Sequence, residues 1–194
     1  MNAFSRRVSV AAACAMLAIC ADTAAAQPVV LHGLTFPEQI GPYARGPVTN
    51  HERGQAGSGY SVAYLRDVWI ASVFIYDRGL QSVPDDAHSE PLQQEFEQAK
   101  QGILSGQAGA YAKVEFKNAY LVAGIDARDR FRCGAFELTR ANGFVFDSHI
   151  CLTSWNSKFV TLWLTHPRAA SNDLEIRGFA YVWTRILWPG ARAN

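Results

Sequence analysis

Residues 130–155 read RFRCGAFELTRANGFVFDSHICLTSW, two runs rich in β-branched and aromatic residues on either side of Asn142-Gly143. Asn-Gly between such runs is a strong hairpin signal, setting Arg130 to Arg140 against Phe144 to Trp155. Two registers compete. A two-residue turn puts position 138 opposite 147, so that Leu138 meets Asp147 and Phe136 meets His149. A three-residue loop, Ala141 to Gly143 with Gly143 left-handed, sets Leu138 against Phe146 and Gly134 against Ile150. The second register gathers one apolar face, and a slip of one residue would turn that face to solvent. It also brings Cys133 directly opposite Cys151, at a spacing a disulfide can bridge.

On the face that carries the cysteines, this register sets Glu137 across from Asp147, with His149 two residues further on. A turn at Trp155-Asn156-Ser157 leads to a strand over Phe159 to Thr165, with Leu162 expected near Ile150 and Trp163 near His149. That strand is apolar on both faces, so the sheet should be covered on both sides.

Working upstream, Lys113 to Val122 reads as another strand. Residues Ser89 to Gly106 carry a helical period: Leu92, Phe96, Ala99, Ile103 and Leu104 share one face, Pro91 stands in the first turn and Gly106 at the stop. Glu90, Glu95 and Glu97 toward its start and Lys100 later suit the helix dipole. Gly59 to Leu65 and Val68 to Tyr76 form a second hairpin around Arg66-Asp67. Asn50 to Ser58 is a polar, glycine-rich loop. Leu34 to Phe36 reads as a short strand and Pro37 to Ile40 as a turn of helix.

Downstream, Asp173 to Trp188 is a second helix with Asn172 as N-cap and Glu175 three residues on, a capping-box spacing. Ile176, Phe179, Ala180, Trp183, Ile186 and Leu187 cluster on one side, with Arg177, Thr184 and Arg185 away from it. Pro189-Gly190 ends it. The fold class that follows is α+β: an antiparallel β-sheet flanked by helices, α/β/α sandwich-like, in a single domain over residues 27–194.

Residues 1–26 have the make-up of a secretory signal peptide. Arg6 and Arg7 form a basic start, Val8 to Ile19 a short apolar run, and Ala24-Ala25-Ala26 a small-residue cleavage site before Gln27. The run is shorter than the roughly 20 apolar residues of a spanning helix. Leu17-Ala18-Ile19-Cys20 resembles a lipoprotein box, but Ile19 stands where such boxes carry a small residue, which argues against lipidation. A periplasmic or secreted location is expected, and in an oxidising compartment the remaining pair, Cys133 and Cys151, should be bridged.

Removing the leader takes Arg6, Arg7 and Asp22 with it and leaves 16 basic against 16 acidic residues. That balance gives no general affinity for nucleic acid or anionic membrane. With 49% hydrophobic residues the chain can bury a substantial core. It shows no internal repeat and no low-complexity tract.

The stretches Phe36-Pro37-Glu38-Gln39-Ile40-Gly41-Pro42-Tyr43, Gly59-Tyr60-Ser61-Val62-Ala63-Tyr64 and Ala71-Ser72-Val73-Phe74-Ile75-Tyr76-Asp77-Arg78-Gly79 resemble small exported proteobacterial proteins of uncharacterised function. In element order the chain is also similar to the PsbP-like sandwich. That likeness implies a module that binds or assists a partner, and neither likeness brings a catalytic motif.

Candidate site residues are few. Asp147-Ser148-His149 holds the residue types of a hydrolase triad, yet on a strand Ser148 points away from Asp147 and His149 and cannot be the nucleophile of such a relay. Glu137, Asp147 and His149 share a face and have ligand chemistry for a metal, without a fourth group. The five histidines, His32, His51, His88, His149 and His166, show no paired ligand spacing. Gly54, Gly57 and Gly59 precede a strand, whereas phosphate-cradling loops follow one, so they read as a flexible connection. Arg78, at the end of an apolar strand, is either paired to a carboxylate or the anchor of a binding surface.

The function expected from these residues is a non-enzymatic envelope or secreted module that binds a protein or small-molecule partner, with no cofactor. A small hydrolase or metal-dependent enzyme built on Glu137, Asp147 and His149 is the rival. A third reading is peripheral membrane association through Phe179, Trp183 and Trp188 on the last helix, although its polar face lacks the lysines of an interfacial helix.

Overall fold

The computed structural model describes residues 27–106, 111–170 and 173–192; the expected leader and Asn172 lie outside them. In chain order the elements are β1 (Val29–Leu31), β2 (Leu34–Phe36), β3 (Gln39–Ile40), β4 (Tyr43–Asn50), β5 (Tyr60–Arg66), β6 (Trp69–Tyr76), α1 (Glu90–Gly106), β7 (Lys113–Ala123), β8 (Asp129–Thr139), β9 (Val145–Trp155), β10 (Lys158–Pro167), a 3-10 turn (Arg168–Ala170) and α2 (Asp173–Leu187).

β8 and β9 pair in the register that the apolar pattern selects, with Leu138 opposite Phe146, Gly134 opposite Ile150 and Cys133 opposite Cys151. Gly143 is left-handed at φ 83° and the Arg140 amide donates to the Phe144 carbonyl at 2.9 Å, closing the three-residue loop. Cys133 and Cys151 are joined by a disulfide.

At β9–β10 the expected register is off by one residue. Asn156 and Ser157 both take positive φ, 48° and 59°, which makes a two-residue turn and pairs Trp155 with Lys158. Leu162 therefore lies opposite Cys151 and Trp163 opposite Ile150. The slip moves Trp163 off the cysteine face and onto the other side of the sheet.

Two further expectations are corrected, at residues 37–40 and at the β5–β6 turn, and one strand without a sequence counterpart, β4, is added. Pro37 to Ile40 is not helical: Gly41 at φ 54° turns the chain so that Ile40 pairs with Tyr43. β4 escapes a sequence reading because it contains Gly46 and Pro47, which the structure accommodates in a bulge between Arg45 and Val48. The β5–β6 turn is Asp67-Val68, one residue later than expected, with Asp67 at φ 46° and Arg66 paired to Trp69.

The main sheet has eight strands in the order β3-β4-β5-β6-β10-β9-β8-β7, and β1 and β2 form a separate hairpin. Every pairing is antiparallel. Two consecutive meanders, β3 to β6 and β7 to β10, thus meet along the β6–β10 pair. Because β7 lies at the far edge, the chain leaving β6 must cross β10, β9 and β8 to reach it, and α1 makes that crossing.

This topology gives the sheet one helix per face. Against α2 lie Val73, Ile75, Val160, Leu162, Leu164 and the disulfide, joined by Leu34 and Phe36 of the β1–β2 hairpin. Against α1 lie Phe136, Leu138, Ile150, Leu152 and Phe159, meeting Leu92, Phe96 and Ile103. Leu104, expected on the buried side of α1, is 37% exposed. Thr184, expected on the outer side of α2, is buried and donates to the Tyr181 carbonyl at 2.7 Å.

α2 does not offer its aromatic face to a membrane, because Phe179 and Trp183 are buried against the sheet. Trp188 is held by an indole hydrogen bond to Asp85 at 3.0 Å and by Arg130 over its ring at 4.3 Å. Among the described residues no helix is long and apolar enough to cross a membrane. The Glu175 carboxylate ties the start of α2 to the sheet by accepting from Tyr43 at 3.1 Å and from Arg66.

Candidate functional site

Each face of the sheet carries a cleft. The α2-side cleft, about 330 Å³, contains Asp147 and His149 beside Lys117, Tyr120, Arg168 and Arg177. Glu137 and Asp147 stand opposite one another as expected. Both carboxylates are neutralised: Arg168 bonds Asp147 at 2.5 Å and Glu137 at 2.8 Å, and Lys117 reaches Glu137 at 2.9 Å. Lys117 and then Arg168 hold the Glu137 carboxyl below its usual range. His149 Nδ1 lies 3.1 Å from the Tyr120 hydroxyl.

Ser148 projects to the opposite face, where its Oγ accepts from the Trp163 indole at 2.9 Å and pairs with Thr165 at 2.9 Å. It therefore cannot serve His149 as a nucleophile. Among the described residues no group of three His, Cys, Asp or Glu side chains gathers to hold a metal. The cluster instead acts as a clasp, in which Arg168, just past β10, is tied to β8 and β9.

The clasp makes a pH-dependent prediction. A carboxyl depressed in the folded state contributes stability above its unfolded pKa, and loses it as pH falls through the lower folded value. Arg168→Ala should move the Glu137 titration up toward the ordinary carboxylate range without fully restoring it, since Lys117 remains. NMR titration of the Glu137 carboxyl carbon checks this, and an unmoved titration would count against the clasp.

The α1-side cleft is larger, a groove of about 690 Å³. Its floor comes from β6 and β10, which set Phe74 opposite Thr161. Alternation along the two strands sends Phe74 and Tyr76, Thr161 and Trp163 to this face. One wall is α1, presenting Glu95, Ala99 and Gly102, and the other is the 51–58 loop, presenting His51, Gln55 and Ser58. On the same face, beyond the reach of α1, Leu65 and Ile70 are 45% and 55% exposed.

The loop wall is held by hydrogen bonds to its own glycines. The Glu52 carboxylate accepts from the Gly57 and Gly59 amides at 2.9 and 2.6 Å. Gly59, at φ 66°, lies so close to β6 that a Cβ there would collide with the Ile75 carbonyl. The His51 ring stacks on Phe74 with centroids 5.9 Å apart and bonds Ser61 through Nε2 at 2.9 Å. Ser61 and His51 lie at dyad distance, but Ser61 is buried, with 9% of its surface exposed, and no carboxylate orients the imidazole among the described residues.

A connected polar network lines part of the groove. Glu95, 4% exposed, accepts from the Tyr76 hydroxyl at 2.8 Å and from Arg78 Nη2 at 2.9 Å. Because the Tyr76 proton goes to Glu95, the Thr161 hydroxyl 2.9 Å away donates to the Tyr76 oxygen. Burial and then the Glu95 charge push the Tyr76 phenol above its usual value, so it stays a donor. Hydrogen bonding to Glu95 likewise raises Arg78. The Arg78 side chain is 43% exposed, and its backbone, at φ 58°, bonds the Gly57 carbonyl at 2.9 Å.

Of the residues weighed in the sequence, Glu137, Asp147 and His149 fall at the α2-side clasp, and Arg78, Gly54 and His51 line the groove. Glu95, Tyr76, Thr161, Phe74 and Trp163 were missed as site residues. One signal existed: Glu95 falls between Leu92, Phe96 and Ala99 on the apolar face of its helix, and a buried carboxylate demands a partner.

No protein-family model matches the chain, and no curated protein does. Among solved structures it is similar to the Saccharomyces cerevisiae Ran-binding protein Mog1p, at 10% identity and a TM-score of 0.38 over 84% of this chain and 92% of that one. A Mog1 point mutant gives 10% identity and a TM-score of 0.37, over 84% and 93%.

Proposed function

We propose that this chain is an exported, non-enzymatic module that binds a small ligand in the groove between α1 and the 51–58 loop. The observation that carries the reading is the prebuilt polar network, Glu95 with Arg78, Tyr76 and Thr161, opening onto an aromatic floor. Concave, largely apolar sites with a few convergent polar groups are the usual form of a small-ligand site. Export is supported by the leader-like residues 1–26 and by the Cys133–Cys151 disulfide, which belongs to an oxidising compartment.

Mass spectrometry on protein from the envelope fraction of its own host tests both parts. Under native conditions a small molecule should travel with the protein and be lost in Trp163→Ala. Denatured without reductant, the chain should weigh as residues 27–194 less two hydrogens. Protein that retains its leader would overturn export. A bare chain whose groove also ignores a small-molecule extract of the host would overturn binding.

A further inference from the structure

Given that the groove is a ligand site, we infer that its ligand is an uncharged saccharide, packed against the aromatic floor at Trp163 and hydrogen-bonded at Glu95 and Arg78. Phe74 and Trp163 come from neighbouring strands, with ring centroids 6.5 Å apart and planes inclined by 37°, and both are partly exposed; because His51 is stacked on Phe74 with centroids 5.9 Å apart, Trp163 is the ring offered to a sugar. An aromatic face carries negative charge density, and the C–H face of a sugar ring presents weakly positive hydrogens to it. The same ring carries hydroxyls at its edge, and each of these both donates and accepts.

The polar network of the groove supplies that pairing. Glu95 is an acceptor, the Arg78 guanidinium beside it a planar donor, and Thr161, its proton given to Tyr76, keeps lone pairs free to accept. Since Glu95 and Arg78 neutralise one another, a carboxylate, phosphate or ammonium ligand would meet no uncompensated charge there, and a neutral hydroxyl-rich ligand is favoured. An alkyl chain laid over the same groove would strip water from these polar atoms and return no hydrogen bonds.

The wall of α1 explains how an extended ligand fits. Ala99 and Gly102 keep it low, and a Cβ at Gly102 would meet nothing within 4 Å. Glycine within a helix is unfavourable, so Gly102 gives up helix stability where it leaves room above the floor.

Titration of the disulfide-bonded protein with chitotetraose, cellotetraose and maltotetraose, followed by two-dimensional NMR, tests the inference, with dodecanoate and a host small-molecule extract as comparison probes. At least one tetrasaccharide should shift the Trp163 indole and the Phe74 and Gly102 amides saturably. Gly102→Leu, which fills the open wall while improving helix propensity, should weaken that binding at least about tenfold with an unchanged or higher melting temperature. Thr161→Val should weaken it in a chain that remains folded. Saccharide binding unaffected by either variant would overturn the inference. If dodecanoate or the extract shifts the groove and no saccharide does, the ligand class falls and the groove remains a site. If no probe shifts it, both fall.

Discussion

Trp183→Ala should destabilise the protein by about 3 to 5 kcal/mol, the range for deleting a large buried aromatic side chain. Trp183 is fully buried at the centre of α2 and meets Phe36 and Tyr64 edge-on, with centroids 5.6 and 6.2 Å away. Those partners come from the β1–β2 hairpin and from β5, so one ring joins three elements. Its Nε1 is buried without a hydrogen-bond partner among the described residues. Trp183→Phe therefore loses apolar contact but no hydrogen bond, and removes an unsatisfied donor whose burial is itself costly. It should cost less than half as much as the alanine variant. Urea midpoints at constant m-value measure both. A phenylalanine variant as unstable as the alanine one would show that the indole nitrogen matters and the reading of the core is wrong.

Breaking the Cys133–Cys151 bridge should cost about 2 to 4 kcal/mol, near 3 for a loop of this length. The two cysteines are 18 residues apart in sequence and both are fully buried beneath α2. The double change Cys133→Ala with Cys151→Ala removes the crosslink without burying a hydroxyl, whereas Cys133→Ser adds that desolvation cost. The strand pairing around the bridge is set independently by the three-residue loop and by burial on both faces, so the reduced chain should still fold. The groove lies on the opposite face and should keep its NMR signature. A melting temperature indifferent to reductant and to the double change would count against a bridge that contributes to stability.

How far the fold is legible in the sequence varies along the chain with the range of the forces involved. The β8–β9 register was legible because turn chemistry, apolar alternation and two cysteines all act within 26 residues and agree. α1 was legible from its period and from Pro91. One turn later the register of β10 was misread, since two left-handed residues, Asn156 and Ser157, are not an obvious turn pair. β4 was invisible because Gly46 and Pro47 suggest a loop until a bulge absorbs them. The carboxylate face was located correctly, but Arg168 and Lys117 come from outside the hairpin and convert a catalytic-looking trio into a clasp.

By itself the sequence determined the local units: the three-residue loop and the strands it joins, the two amphipathic helices and the cysteine pair. Periodicity and turn residues act over a few positions, so they can be read without the rest of the chain. Only the tertiary structure decided the groove. Glu95 approaches Tyr76 and Arg78 because α1 must cross the sheet to reach the far edge, and Thr161 approaches Tyr76 because β6 pairs with β10 across 85 residues of chain. That pairing is chosen by burying both faces of two apolar strands at once, a demand no short window of sequence expresses.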